Sequence, residues 1–233
     1  MKQTDSGIFL HRLSYSESSL IVRFFTLAHG TQSFMFKGAK KKKGLNLMPL
    51  STYELTYYGT TGSLLQLTSA ESEHLSLHTQ YDIPKTSVAF FMAELLDQCL
   101  RDTPQDETLF NFIQSEINWL DATSEYTNYP IWFLLEVSKH LGFYPNLEGN
   151  HNTFNLSEGM VGLPYNALPT IVTGEAIAAL RDALQDTKET FLSRAIPKAT
   201  RQELLQHLLT FFNYHQQNFR GLKSLEILQE VLA

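Results

Sequence analysis

LIVRFFTLAHGTQSFMFKG, residues 20–38, decides the fold. Two short runs rich in β-branched and aromatic residues, LIVRFFTL and TQSFMFKG, flank a turn at Gly30. In the second run Gln32, Phe34 and Phe36 share one face, while Ser33, Met35 and Lys37 share the other. Such alternation belongs to a strand with one buried face, not to a helix. Working outward, GIFLHRLSY precedes this pair, and TYELTYYG and SLLQLTSAE follow it, with Gly59 to Gly62 as a further turn. In TYELTYYG, Tyr53, Leu55 and Tyr57 point opposite to Glu54, Thr56 and Tyr58. Five short strands in so little chain predict a small closed barrel of OB-fold size.

After Pro84 the texture becomes helical. Asp82 and Pro84 start SVAFFMAELLDQCL, and Thr103-Pro104-Gln105-Asp106 opens a second helix with Leu109, Phe112, Ile113 and Ile117 as its stripe. Pro130 opens a third that stops at Gly142. Its run Ile131 to Leu135 is apolar nearly all round and belongs at the centre of a bundle. Residues 146–172 read as loop, with a small hairpin around NTFNLSEGMVG. Thr173 caps a fourth helix, Thr200-Arg201-Gln202-Glu203 is a capping box for a long fifth, and Leu222 to Leu232 form a short last one. The expected class is therefore α+β: a five-stranded OB-fold barrel over 1–80, then an all-α domain over 81–233 with a loop or hairpin insertion near 146–172.

The 233 residues are 43% hydrophobic, enough for a core, and the formal net charge is -6. Residues 1–80 nevertheless carry eight Lys and Arg against five acids, a balance of +3, which leaves -9 for the remainder. Half of the basic groups before residue 80 stand together in Gly38-Ala39-Lys40-Lys41-Lys42-Lys43-Gly44, placed by the strand pattern in an exposed connection. MKQTDSGIFLHRLSYSESS has no continuous apolar core of a secretory signal, and no stretch approaches a membrane span, so a soluble cytoplasmic protein is expected.

No constellation for covalent chemistry emerges. The lysine run is not a phosphate-binding P-loop: Lys43 stands where the second glycine is required, and Gly44 leads into Leu45-Asn46. His74 and His78 sit in HLSLH, where the apolar pattern reads as a strand end rather than a metal site. Cys99, the single cysteine, is flanked by Leu96 and Leu100 and reads as a packed thiol. Glu71 and Glu73 read as a solvated strand edge. Catalytic residues, cofactor and metal are all expected to be absent.

The remaining chemistry is cationic. Lys37 and Lys40 to Lys43, with Arg12 and Arg23 on adjoining strands, would attract phosphates without reading sequence. Aromatics such as Phe9 or Tyr58 would add base stacking if exposed, although in a small barrel they are more often core. The competing reading is a scaffold whose helical domain binds proteins and whose barrel is only structural.

A specific resemblance joins these features. YSESSLIVRFFTLAHGTQSFMFKGAKKKKG, residues 15–44, resembles the N-terminal signature of the RecO family of DNA repair and recombination proteins: Y-S-E-x-S-x-I-V, a T-x-x-x-G turn, a strand ending in Lys-Gly and a basic loop. LGFYP at 141–145 and GLKSLEILQEVL at 221–232 resemble two further family segments in order. The resemblance implies a non-enzymatic role: binding single- and double-stranded DNA, annealing complementary strands, and working with RecR so that RecA replaces single-stranded DNA-binding protein. It implies a nucleoid-associated location and a DNA-contacting set of Arg12, Arg23, Lys37, Lys40, Lys41, Lys42 and Lys43. It also implies a site on the helical domain for the acidic tail of single-stranded DNA-binding protein, with Lys139, Arg201 or Lys223 to meet its carboxylates. Many family members carry a four-cysteine zinc site after the LGFYP-like segment; residues 146–172 here have no cysteine, so the hairpin must hold by packing.

Overall fold

The computed structural model describes residues 2–41, 46–59, 64–74, 79, 81–148, 152–161 and 169–232. By internal packing the chain divides into two compact units, residues 1–123 and 124–233. The first unit is built on β1 (Lys2–Ser14), β2 (Leu20–Thr26), β3 (Gly30–Phe36), β4 (Thr52–Tyr58) and β5 (Leu65–His74), which close a barrel in the order β1-β2-β3-β5-β4. All neighbours are antiparallel except β3 and β5. This is the OB-fold expected from the alternation.

Closure works because inward positions are aromatic or branched. Phe9, Val22, Phe24, Phe34, Phe36, Tyr53, Leu55, Tyr57 and Leu67 fill the interior. The Phe24 ring meets Phe9 at 5.3 Å and both Phe34 and Tyr53 at 5.9 Å between centroids, in tilted or edge-on geometry.

Two helices stay with the barrel. α1 (Ile83–Cys99) starts where Asp82 accepts from the Lys85 N–H at 3.0 Å, and α2 (Glu107–Ala122) where Asp106 accepts from the Leu109 N–H at 2.8 Å. Phe25, on the outer wall of β2, packs on Phe110 at 6.1 Å. Thr52 Oγ1 donates to Gln114 at 2.8 Å, and buried Lys85 donates to the Asp121 carbonyl at 2.8 Å. The change from strand to helix near residue 80 is therefore not where the packing divides, because α1 and α2 bury their apolar faces within the barrel unit.

In the second unit, α3 (Tyr129–His140) is the buried centre, with Tyr129, Ile131, Phe133, Leu134, Leu135 and Val137 all inside. α4 (Glu175–Gln185), α5 (Lys188–Leu192), α6 (Lys198–His215) and α7 (Ser224–Val231) complete the helices described. The hairpin pairs β6 (Thr153–Asn155) with β7 (Ile171–Thr173), a more distant partner than NTFNLSEGMVG supplies, although Asn155 also bridges to Met160 within that segment. It is held by packing on α6. Phe154 is fully buried 5.8 Å from Phe211, and His215 Nε2 lies 3.2 Å from the Leu156 carbonyl. Phe143 of LGFYP stacks on the His215 ring at 5.5 Å with a 4° interplanar angle.

Candidate nucleic-acid interface

β1 and β2 meet at a tight turn. Tyr15 and Ser16 donate their N–H groups to the Ser19 carbonyl at 3.1 and 3.3 Å, and Ser16 Oγ accepts from the Ser19 N–H at 3.2 Å. β3 ends beside it. Lys37 and Gly38 turn the chain into a 3₁₀ segment, Ala39–Lys41, whose Ala39 is buried in the barrel interior. Sinking Ala39 fixes the turn and leaves Lys37, Lys40 and Lys41 exposed. Lys40 then ties the two turns together: its N–H donates to the Ser18 carbonyl at 3.2 Å, and its ammonium to the Ser16 carbonyl at 2.7 Å.

Arg12 is exposed on β1, opposite Val22 and three residues before Tyr15. Lys42 and Lys43 lie outside the described residues, as does His78. Arg23 does not join the others. It is adjacent to Val22 on β2, so it lies on the outer wall with Ile21, where an acid of α1 engages it. There its Nη1 lies 2.5 Å from Asp97 of α1, a carboxylate 10% exposed, and its Nε reaches Ser33 Oγ at 3.5 Å. Asp97 is 74 positions along the chain, so no pattern local to β2 announces it. Phe9 is core; Tyr58 is exposed, but beside Lys2 at the other end of β1.

The sequence also leaves unannounced a row across the strands. Directly opposed residues share a face, so Leu13, Ile21, Met35 and Gln66 form one line on the outer wall. The rows on either side of this line point inward through Leu20 and Phe36, and through Val22 and Phe34, all buried.

On the second unit the three candidate cations stand apart. Arg201 donates to the Ile196 carbonyl at 3.2 Å and the Leu232 carbonyl at 2.5 Å, and burial lowers its pKa. It lines a small hollow with Pro130, Ile131, Leu205, Leu228 and Leu232. Lys139 lies near the other end of α3 from Pro130, about 13 Å along the axis. Its ammonium is 3.7 Å from Glu136 and 5.8 Å from the Tyr144 ring centroid. Lys223 precedes α7 and is exposed.

No group of three His, Cys, Asp or Glu among the described residues forms a metal site, and no helix among them is long and apolar enough to cross a membrane. Cys99 is buried, and burial pushes its thiol well above the ordinary range, which favours the neutral thiol.

Comparison with known proteins decides the family. The model of the recombination protein O N-terminal region matches residues 1–75, and that of its C-terminal region matches residues 80–226. The chain belongs to the RecO family. The DNA repair protein RecO of Flavobacterium psychrophilum is 30% identical over 245 residues, covering 100% of both chains. Its counterpart in Flavobacterium johnsoniae is 29% identical over 243 residues, again covering 100% of both, and that of Bacteroides fragilis is 28% identical over 240 residues, covering 99% of each. RecO membership supports a role in DNA repair and recombination.

Proposed function

We propose that this RecO-family chain is a recombination mediator that binds single- and double-stranded DNA through the paired turns of its barrel and anneals complementary strands. With RecR it helps RecA replace single-stranded DNA-binding protein, at the nucleoid. The observation that carries the reading is the lysine turn itself: Lys37, Lys40 and Lys41 exposed together, with Lys40 strapped to the β1–β2 turn. Arg12 adds a fourth charge from β1, whereas Arg23 is assigned to holding α1. Ammonium groups in this setting attract phosphates and carry no sequence preference. Screening the repulsion between two backbones raises the local concentration of both strands, so pairing accelerates without a covalent step. For the acidic tail of single-stranded DNA-binding protein, the hollow beside Arg201 is the favoured seat among the three candidates, because it pairs a guanidinium with apolar walls.

Four neutralised phosphates on a single strand give a salt slope near -2.8, or roughly 50-fold weaker binding between 50 and 200 mM salt. Replacing Lys40, Lys41, Lys42 and Lys43 together with alanine should flatten that slope. An unchanged slope removes the turn from the interface. A chain that ignores oligonucleotides in dilute buffer yet still binds RecR is a scaffold instead.

A further inference from the structure

We propose that a groove on the α1–α2 face of the first unit receives the β1–β2 turn of a second copy of this chain, so that the protein self-associates through two unlike patches at low ionic strength. This goes beyond the reading above and does not depend on it.

The groove is built from one loop and two helices. Met48, Leu50, Ala89, Phe90, Ile117 and Leu120 wall a hollow of about 390 Å³ that opens to solvent. Leu50 holds its place at a positive φ of 61°, a conformation that a branched side chain rarely adopts. Two bonds with Phe9 keep it there: the Leu50 N–H donates to the Phe9 carbonyl at 2.9 Å, and the Ser51 carbonyl accepts from the Phe9 N–H at 3.0 Å. Outside the hollow the apolar surface continues. Ile83, Thr86 and Phe90 follow one another at spacings of three and four, along one face of α1. Phe90 is 48% exposed, Ile83 72%, and Tyr81, just before the helix, 86%. A helix face turned to water ordinarily carries polar residues at such positions, and adjoining apolar side chains there mark a contact surface.

Charge names the occupant. Residues 81–123 hold eight acids against two bases, Lys85 and Arg101, a balance of -6. Two of the acids stand at the groove through Thr79 and Thr86, which also line it. The Thr86 N–H donates to the Asp82 carbonyl, and the Asp121 carboxylate accepts from the Thr79 N–H at 2.8 Å and the Thr79 hydroxyl at 2.9 Å. Lys85 is buried there, with its ammonium on the Asp121 carbonyl. The counterpart is on the barrel of the same chain. Leu13 is 58% exposed and Tyr15 62%, and Lys40 is held to the Ser16 carbonyl next to them, with Lys37 and Lys41 exposed in the same lysine turn. Glu17 is the acid of the β1–β2 turn. A bulky apolar pair edged by ammonium groups matches a hollow edged by carboxylates in both shape and sign. The net charge of -6 otherwise keeps copies apart, so the contact belongs to the weak, salt-sensitive class.

The test is the sedimentation of the whole chain in about 50 and about 500 mM salt, over about 5 to 100 μM protein. The expected result is a mass that rises with concentration in low salt to about twice that of one chain or more, and falls back in high salt. Lys37→Glu with Lys41→Glu reverses the turn, and Ile83→Ser with Phe90→Ser empties the groove. Each double variant should sediment as a single chain. All four positions are exposed, and thermal midpoints equal to the parent's confirm the fold. Mixed in equal amounts, the two variants should pair one to one, because one brings an intact groove and the other an intact turn. A parent that stays single at every concentration overturns the proposal. So does association that either double variant retains, or a mixture that fails to pair.

Discussion

The guanidinium of Arg23 lies 2.5 Å from the carboxylate of Asp97, and this ion pair ties the outer wall of β2 to the end of α1. The carboxylate is mostly buried, so removing its partner strands a charge in poor solvent. Arg23→Ala should lower stability by about 2 kcal/mol and leave the DNA salt slope unaltered. A double-mutant cycle with Asp97→Ala checks it by urea unfolding: the two losses should be strongly non-additive. Additive losses, or a flattened salt slope in Arg23→Ala, would return Arg23 to the DNA-contacting set.

Two glycines separate backbone strain from close approach. Gly30 and Gly38 have nearly equal positive φ, 69° and 70°. A Cβ on Gly30 would fall 2.3 Å from the Thr103 carbonyl oxygen, where the α1–α2 connection abuts the β2–β3 turn; a Cβ on Gly38 would meet nothing within 4 Å. Gly38→Ala should therefore cost about 1 kcal/mol, the left-handed penalty alone. Gly30→Ala must also displace backbone, and should cost about 3 kcal/mol. Equal urea midpoints for the two variants would show that the connection yields freely.

The barrel was legible in the sequence because period-two alternation is local: Phe34 and Phe36 face inward, and Met35 between them faces out. Helix starts at Asp82 and Asp106 were legible for the same reason, since a capping carboxylate acts within three residues. The capping box expected at Thr200 does not open the helix. α6 begins at Lys198, after Pro197, whose ring already fixes φ for helix entry, and Thr200 lies inside the first turn. The five-residue α5 is too short to show a period. Partners far along the chain were not legible at all. Asp97 for Arg23, and Phe110 for Phe25, exist only once α1 and α2 have folded onto the barrel.

The β6–β7 hairpin depends on one buried ring. Phe154 is fully buried against Phe211, and a Cβ on Gly159 would lie only 3.2 Å from the same Phe211 ring. Phe154→Ala should cost about 3 to 4 kcal/mol and open the hairpin to limited proteolysis before the rest of the unit unfolds. Residues 146–172 hold no cysteine, so a chelator should leave the thermal midpoint of the parent chain where it was. A midpoint that drops with chelator would reveal a metal among the ties of this unit.

His207 sets an acid limit on α6. Burial holds its imidazole below the ordinary histidine value, against the opposing pull of Glu203, whose carboxylate is 3.5 Å away. The folded chain thus binds its proton less readily than the unfolded chain does. Stability from this group is complete above about pH 6.5, and it falls as the pH drops from there through the lowered folded value. Below that value both states are protonated and the loss levels off. His207→Gln removes the titration, so the unfolding free energy of the parent minus that of the variant should fall as pH is taken from 7.5 toward 5, each measured by urea denaturation. A difference that stays constant across that range, or grows toward acid, would mean that Glu203 outweighs burial and that the charged imidazole is the favoured form in the fold.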